Sequence, residues 1–182
     1  MKPLGYMYKR VARRTGWLSA SQVTDIYSLS GCVSEDFADY IGYWKHNGFW
    51  LFDSPSIMRG LAADNAICLE GLKLFYYEAY DLEYDDGKRA WREFAPEPSF
   101  GTNVCAPRAR TLEGFDVTSF SAGTSPECSP LSCNACAERV ATNEHCLFRT
   151  LDEARRAIEN GELGACEPGP YRIIAVYTVT DA

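Results

Sequence analysis

The cysteines near residue 130 are the side chains whose type and spacing best suit chemistry. Cys128 and Cys133 lie in a segment of small polar residues, and Cys136 follows closely. A thiol at the N-terminal end of a helix loses its proton more readily, and the thiolate is the nucleophilic form. Cys133 or Cys128 is therefore a predicted nucleophile of a thiol-dependent enzyme, with His145 as its base. The competing role for both cysteines is structural, because buried cysteine packs as a small apolar residue.

The same segment, residues 121–134, also has the composition of an anion-binding loop. Backbone N–H groups converge where a Gly- and Ser-rich loop enters a helix, and they attract phosphate or carboxylate groups. The segment lacks the spacing and the lysine of a phosphate-binding P-loop, so it also fits a tight structural turn. The predicted ligand-binding residues are Ser121, Gly123, Thr124, Ser125, Glu127, Ser129 and Asn134.

The cysteine spacing also permits a metal site. Cys128-x4-Cys133-x2-Cys136 matches the start of plant-type iron–sulfur ligation, and Cys146 or His145 could complete an iron–sulfur or zinc site. Alternation along a strand would send His145 and Cys146 to opposite faces, and iron–sulfur proteins use a longer spacing to the fourth cysteine. We therefore predict no metal ligand and no cofactor, and keep zinc or iron–sulfur binding as a third alternative.

The other candidate residues carry weaker predictions. Asp116 and Glu127 could orient a base near the thiols, and they could equally be surface or capping residues. His46 lies at a predicted helix end, where a cation suits the helix dipole. Packing roles are predicted for four further cysteines, which are Cys32, Cys68, Cys105 and Cys166.

A predicted helix must position the thiols. Ser129 is a suitable N-cap. Pro130 suits the first helical position, because the N–H that proline lacks would have no hydrogen-bond partner within the helix there. We predict that this helix extends through Val140 and follows a strand over residues 115–122. Both the anion site and the activated thiol depend on this helix start.

Two segments of the chain share one plan of strand, helix and strand. Residues 50–84 and 146–179 each begin with a short apolar run that ends in Leu-Phe. Each ends in a long apolar strand, and one gap aligns Leu51 and Tyr80 with Leu147 and Tyr177. The similarity predicts a structural pseudo-repeat, although strand–helix–strand units often look alike.

Capping residues fix the start of each predicted helix. Ser54 precedes Pro55 in the first unit, and Thr150 with Glu153 forms a capping box in the second. Apolar residues at helical spacing predict the buried faces. These residues are Ile57 and Leu61 in the first helix and Leu151, Ala154 and Ile158 in the second.

The remaining elements complete an α+β fold. Strands are predicted over residues 7–11 and 25–33, a helix over 34–47, and a return strand at 92–94. A long irregular connection is predicted over residues 95–114. We expect a mixed β-sheet with helices mainly on one face, and a ferredoxin-like core is one possible arrangement.

Composition limits the classes of function. The chain has 182 residues and a net charge of −7, which fits one domain and argues against a nucleic-acid or anionic-membrane surface. It shows no export signal or long apolar run, so we expect a soluble, cytoplasmic protein with reduced thiols. The favoured function is a binding or regulatory domain for a protein partner or a small anionic molecule.

Overall fold

An antiparallel sheet of five strands organises the part of the chain that the structure describes. The structure is a computed structural model, and it describes residues 1–38, 47, 49–94, 103–119, 128–164 and 169–180. The sheet strands are β1 (Lys2–Lys9), β4 (Lys73–Asp85), β5 (Ala90–Glu93), β6 (Arg110–Ser119) and β7 (Tyr171–Val179). Two short strands, β2 (Ala12–Arg13) and β3 (Asp25–Ile26), pair separately.

The strand order confirms the α+β class. The strands lie in the order β1-β4-β7-β6, with β5 paired to β4, and every neighbouring pair is antiparallel. Helix α1 (Pro55–Asp64) packs on β1, and helix α2 (Leu151–Glu159) packs on β6 and β7. In each pseudo-repeat, the helix therefore precedes a strand that pairs directly with the first strand of its own unit. The observed order does not by itself establish the ferredoxin-like core that the sequence allowed.

The register of the central strands has twofold pseudosymmetry. Tyr77 pairs with Val176 at the centre, and Tyr76↔Tyr177 and Glu78↔Ala175 flank that pair symmetrically. Gly5 of β1 pairs with Tyr77, and Gly114 of β6 pairs with Val176. The two units are therefore longer than predicted, since β1 and β6 belong to them. The equivalence of Tyr80 and Tyr177 is wrong, because Tyr77 matches Val176.

An asparagine turn repeats in both units with the same hydrogen bonds. The side-chain amide of Asn47 donates to the Leu4 carbonyl at 2.8 Å, and that of Asn143 donates to the Glu113 carbonyl at 2.7 Å. Each asparagine side-chain oxygen also accepts from two backbone N–H groups of its own turn. Trp50 and Cys146 follow with φ of 60° and 63°. The pseudo-repeat is therefore a shared local geometry as well as a shared order of elements.

Helix caps agree with the prediction, but one buried face does not. Ser54 accepts from the Ile57 N–H, and Thr150 and Glu153 form the capping box. In α2 the buried residues include Ala154 and Ile158, as predicted. In α1 the buried residues are Met58 and Ala62, whereas Ile57 is 41% exposed. The prediction is wrong for Ile57, because the helix docks on β1 through the row that contains Met58 and Ala62. Leu61, the other predicted residue, is partly buried and packs against the same core.

Several predicted strand limits are also wrong. Residues 25–33 pair only at Asp25–Ile26 and then form a 3₁₀ turn at Gly31–Val33, because the following backbone bonds to residues outside any ladder. Strand β6 begins at Arg110, so the irregular connection is shorter than predicted. A bulge interrupts β6 between Leu112 and Gly114.

Other predictions fall outside the described residues, among them most of the helix over 34–47 and His46. Within the described ranges, no helix is long and apolar enough to cross a membrane.

Candidate functional site

Three cysteine sulfurs meet at one end of β6. The Sγ atoms of Cys32, Cys128 and Cys133 all lie within 4.8 Å of one another. The Cys32 and Cys128 sulfurs are 3.8 Å apart. Cys32 is exposed, whereas the other two are half-buried. We call these residues the three-cysteine cluster.

A short polar turn brings Cys32 to the cluster. Ser30 is fully buried, and its hydroxyl caps the 3₁₀ turn by accepting from the Cys32 N–H at 3.2 Å. The same hydroxyl lies 3.4 Å from the Cys133 sulfur. One serine therefore fixes the backbone of one cysteine and contacts the thiol of another. The predicted packing role of Cys32 is wrong, because its side chain is exposed and lies beside two other thiols.

Asp116 ties together the two chain segments that carry the cysteines. Its carboxylate is fully buried and accepts from the Ser28 hydroxyl at 2.9 Å and the Leu29 N–H at 3.0 Å. The other oxygen accepts from the Ser129 hydroxyl at 2.6 Å and the Val117 N–H at 2.9 Å. Burial raises the pKa of Asp116, and these hydrogen bonds oppose the shift. Asp116 is therefore a structural anchor rather than the surface residue that the sequence also allowed.

Lys9 holds the first of these segments from another direction. Its ammonium group is buried and donates to the carbonyls of Ser28, Leu29 and Ser30 at 2.9, 3.2 and 3.0 Å. A buried ammonium group needs such acceptors, because its desolvation is costly. Lys9 thus binds the carbonyl oxygens of this turn, and the Asp116 carboxylate binds hydrogen-bond donors of the same turn.

The predicted helix over residues 130–140 is wrong. Residues 130–134 form hydrogen-bonded turns, and a 3₁₀ helix covers only Cys136–Glu138. Ala135 interrupts helical geometry with a φ of 57°. The Ser129 hydroxyl donates to Asp116 instead of capping a helix, because the buried carboxylate requires a donor. No helix dipole is therefore available to acidify the thiols from this segment.

Electrostatics also differ from those of an activated thiol. Burial raises the pKa of Cys133 above its ordinary value, and hydrogen bonds from Ser30 and the 129–133 turn only partly oppose this effect. Desolvation raises the pKa of the buried Cys146 even more. Both thiols are therefore neutral near pH 7 when no cation is bound.

His145 lies in a different constellation. Its Nδ1 is 2.5 Å from the Asp25 carboxylate, and its Nε2 is 3.7 Å from the Glu113 carboxylate. Its ring stacks on Tyr27 with centroids 4.0 Å apart. The structure thus brings the predicted nucleophiles Cys128 and Cys133 together, but it surrounds the predicted base with carboxylates.

The remaining cysteines have separate environments. Cys136 is buried and forms a disulfide bond, so it cannot also ligate a metal. The expectation of reduced thiols is therefore wrong for Cys136. Cys146 is buried, and Cys68 and Cys105 are exposed. Exposure contradicts the packing roles predicted for Cys68 and Cys105, and Cys166 lies outside the described residues.

The predicted anion-binding residues are mostly beyond the described ranges. Ser121, Gly123, Thr124, Ser125 and Glu127 lie outside them, whereas Ser129 is buried and Asn134 is exposed. Ser129 is committed to Asp116 through its hydroxyl. Anion binding by the loop thus stays a prediction.

Sequence reasoning missed Cys32 and Lys9 as members of the site. The serine-rich run before Cys32 was the available signal, because small polar residues often form hydrogen-bonded turns. Its partner segment is about 100 positions away in the chain, a separation at which a single sequence carries no spacing rule. Comparisons of this chain with protein-family models, curated proteins and solved structures find no match.

Proposed function

We propose that this protein binds a thiophilic metal ion through Cys32, Cys128 and Cys133. The observation that carries the proposal is the convergence of three sulfurs within 4.8 Å. Zn–S bonds are about 2.3 Å long, so sulfurs on a tetrahedral zinc are about 3.8 Å apart. The Cys32–Cys128 sulfur distance of 3.8 Å matches that edge.

The chemistry of the donors selects the class of metal. Thiolates are soft ligands that favour zinc and monovalent copper over magnesium or calcium. Three thiolates fill three tetrahedral positions and leave one for another ligand, or they supply a trigonal set. An iron–sulfur cofactor is normally held by four cysteines. The group of cysteines found among the described residues has three. Zinc and monovalent copper are therefore the ions to test.

Buried polar groups support the proposal by holding the donors before any metal binds. Asp116 connects the turn at 28–30 with Ser129, and Lys9 fixes the carbonyls of the same turn. The Ser30 hydroxyl contacts the Cys133 sulfur directly, and removing a group that bonds to a metal ligand commonly changes affinity by about 10- to 100-fold. A preorganised set of sulfurs also lowers the entropic cost of ligation.

The thiol-dependent enzyme is a weaker candidate on this geometry. Its activating helix is absent from residues 130–140, and the pKa of Cys133 is raised rather than lowered. A bound metal cation would reverse the electrostatics, since coordination deprotonates a thiol. The same raised pKa is therefore compatible with a metal ligand.

Metal analysis of the purified protein tests the proposal directly. The full chain is loaded with Zn²⁺ or with Cu⁺ under reducing, anaerobic conditions, desalted, and measured for metal per chain by mass spectrometry. We expect about one ion per chain, with loss of at least 10-fold in affinity for Cys32→Ser, Cys128→Ser and Cys133→Ser. Cys68→Ser and Cys105→Ser are matched controls, because these thiols are exposed and lie outside the cluster.

A fluorescence titration gives an independent readout. Trp17 is 55% exposed, and its indole N–H donates to the Ser132 carbonyl beside Cys133. Metal binding should change the tryptophan fluorescence of the wild type. The change should be absent from Trp17→Phe, because Trp17 is the reporter. Wild-type protein that retains no ion, or loading that survives all three cluster substitutions, would contradict the proposed function.

A further inference from the structure

Two thiols of the cluster have the geometry of a redox pair. Cys32 and Cys128 have sulfurs 3.8 Å apart, and a disulfide bond of about 2.0 Å needs an approach of about 1.8 Å. Both residues lie outside the strands of the sheet. Their approach therefore breaks no ladder hydrogen bond.

Exposure sets Cys32 apart from Cys128 and Cys133, which are both half-buried. Cys32 is exposed, so an external reagent can reach its sulfur. Cys133 is half-buried, and its sulfur lies 3.4 Å from the Ser30 hydroxyl and 3.9 Å from that of Ser132. The chain already contains a disulfide at Cys136. Disulfide chemistry is therefore part of the state that this fold adopts.

We propose that Cys32 and Cys128 form a reversible disulfide that controls occupancy of the metal site, with a small-molecule disulfide as the oxidant. The control of occupancy rests on the proposed metal-binding function, whereas the thiol pair does not. Oxidation removes two of the three sulfur ligands and leaves Cys133 alone. A single thiolate binds zinc or copper weakly, so the ion dissociates.

The reaction balances as two thiol–disulfide exchanges. The Cys32 thiolate attacks one sulfur of the oxidant R–S–S–R, which forms a mixed disulfide and releases one RS⁻. The Cys128 thiolate then attacks the Cys32 sulfur, which forms the Cys32–Cys128 bond and releases the second RS⁻. The two protons of the protein thiols accompany the leaving groups. The protein loses two electrons, and the oxidant becomes two molecules of RSH.

The test uses oxidised glutathione on the metal-free full chain. After acid quenching and alkylation, peptide mapping should find a Cys32–Cys128 disulfide in the wild type and in Cys133→Ser. Reduction with dithiothreitol should restore both thiols in the native protein. Cys68→Ser and Cys105→Ser serve as controls and should form the same bond.

The outcomes separate this inference from the metal proposal. A stable glutathione adduct on Cys32, or a bond from Cys133 to either partner, would overturn the pair. Zinc-loaded protein should release its ion in step with the disulfide, as measured with a chromogenic chelator. Disulfide formation with zinc retained would overturn the control of occupancy. A disulfide in a chain that never binds metal would support the pair and reject the metal proposal.

Discussion

At the scale of single residues, Asp116 accounts best for the geometry of the site. It is fully buried and accepts hydrogen bonds from Ser28, Leu29 and Ser129, which belong to the two segments that carry the cluster. Removing one partner from a buried hydrogen bond leaves the other unsatisfied, which costs more than the bond itself contributes. The stability of the fold and the position of the sulfurs therefore depend on the same carboxylate.

We expect Asp116→Ala to lower the free energy of unfolding by about 2–4 kcal/mol, because four buried donors lose their acceptor. Urea denaturation followed by circular dichroism measures the change. Thr118→Val is the matched control, since Thr118 lies in the same strand, is equally buried, and its hydroxyl has no hydrogen-bond partner within the described structure. Equal losses for both variants would show that Asp116 is not an anchor.

The protonation of Cys133 predicts how metal affinity depends on pH. Metal binds the thiolate, so each neutral thiol releases a proton on binding, and affinity rises with pH. Burial raises the pKa of Cys133 above its ordinary value of 9.0, so the rise continues beyond that pH instead of levelling off below it. Competition titrations with a chelator of known proton linkage measure this dependence. Affinity that is constant above about pH 7 would exclude Cys133 as a neutral ligand.

At the scale of elements, the repeated asparagine turn explains how each unit folds onto its first strand. A Cβ on Gly5 would lie 2.8 Å from the Phe52 carbonyl oxygen, and one on Gly114 would lie 2.7 Å from the Phe148 carbonyl oxygen. Both glycines have positive φ, at +141° and +149°. The close approach allows two isolated antiparallel β-bridges, between Tyr6 and Phe52 and between Phe115 and Phe148. Only glycine satisfies both the space and the backbone conformation.

We expect Gly5→Ala and Gly114→Ala each to destabilise the protein by about 2–5 kcal/mol, from backbone strain and overpacking together. Gly60→Ala is the matched control, because it lies in α1 with nothing within 4 Å of the added Cβ. That control should be neutral or stabilise slightly, since alanine favours helix. Thermal unfolding measures all three. A tolerated alanine at either sheet glycine would refute the equivalence of the two turns.

At the scale of the whole molecule, the site depends on contact between the two halves of the chain. Segment 18–33 spans both units, since Leu18, Val23 and Ile26 join the core around α2. Tyr27 and Leu29 pack in the core of the first unit. Backbone bonds from Thr24 and Tyr27 to residues 144 and 145 fix this crossing. Cys32 therefore comes from one half, and Cys128 and Cys133 come from the other.

A metal that joins the two halves should stabilise the entire fold. A ligand at about 100 times its dissociation constant adds roughly 2.7 kcal/mol to the stability of a folded protein. Zn²⁺ should therefore raise the melting temperature of the reduced wild type in a concentration-dependent way. Cys32→Ser should abolish the shift, and Cys68→Ser should keep it, since Cys68 is exposed and outside the cluster. A shift of equal size in both variants would indicate nonspecific binding.

The sequence by itself determined the local features of this protein. Ser54 and Thr150 marked helix starts, and the apolar run over 171–179 marked a strand, because caps and hydrophobic periodicity act between near neighbours. The tertiary structure alone decided that Cys32 joins Cys133 and that His145 does not. It also replaced the predicted helix after Ser129 with turns, because the buried carboxylate of Asp116 takes the hydroxyl that would have capped it. Contacts between distant segments produce no periodic pattern in a single sequence. Only part of the cysteine site could therefore be predicted from the sequence.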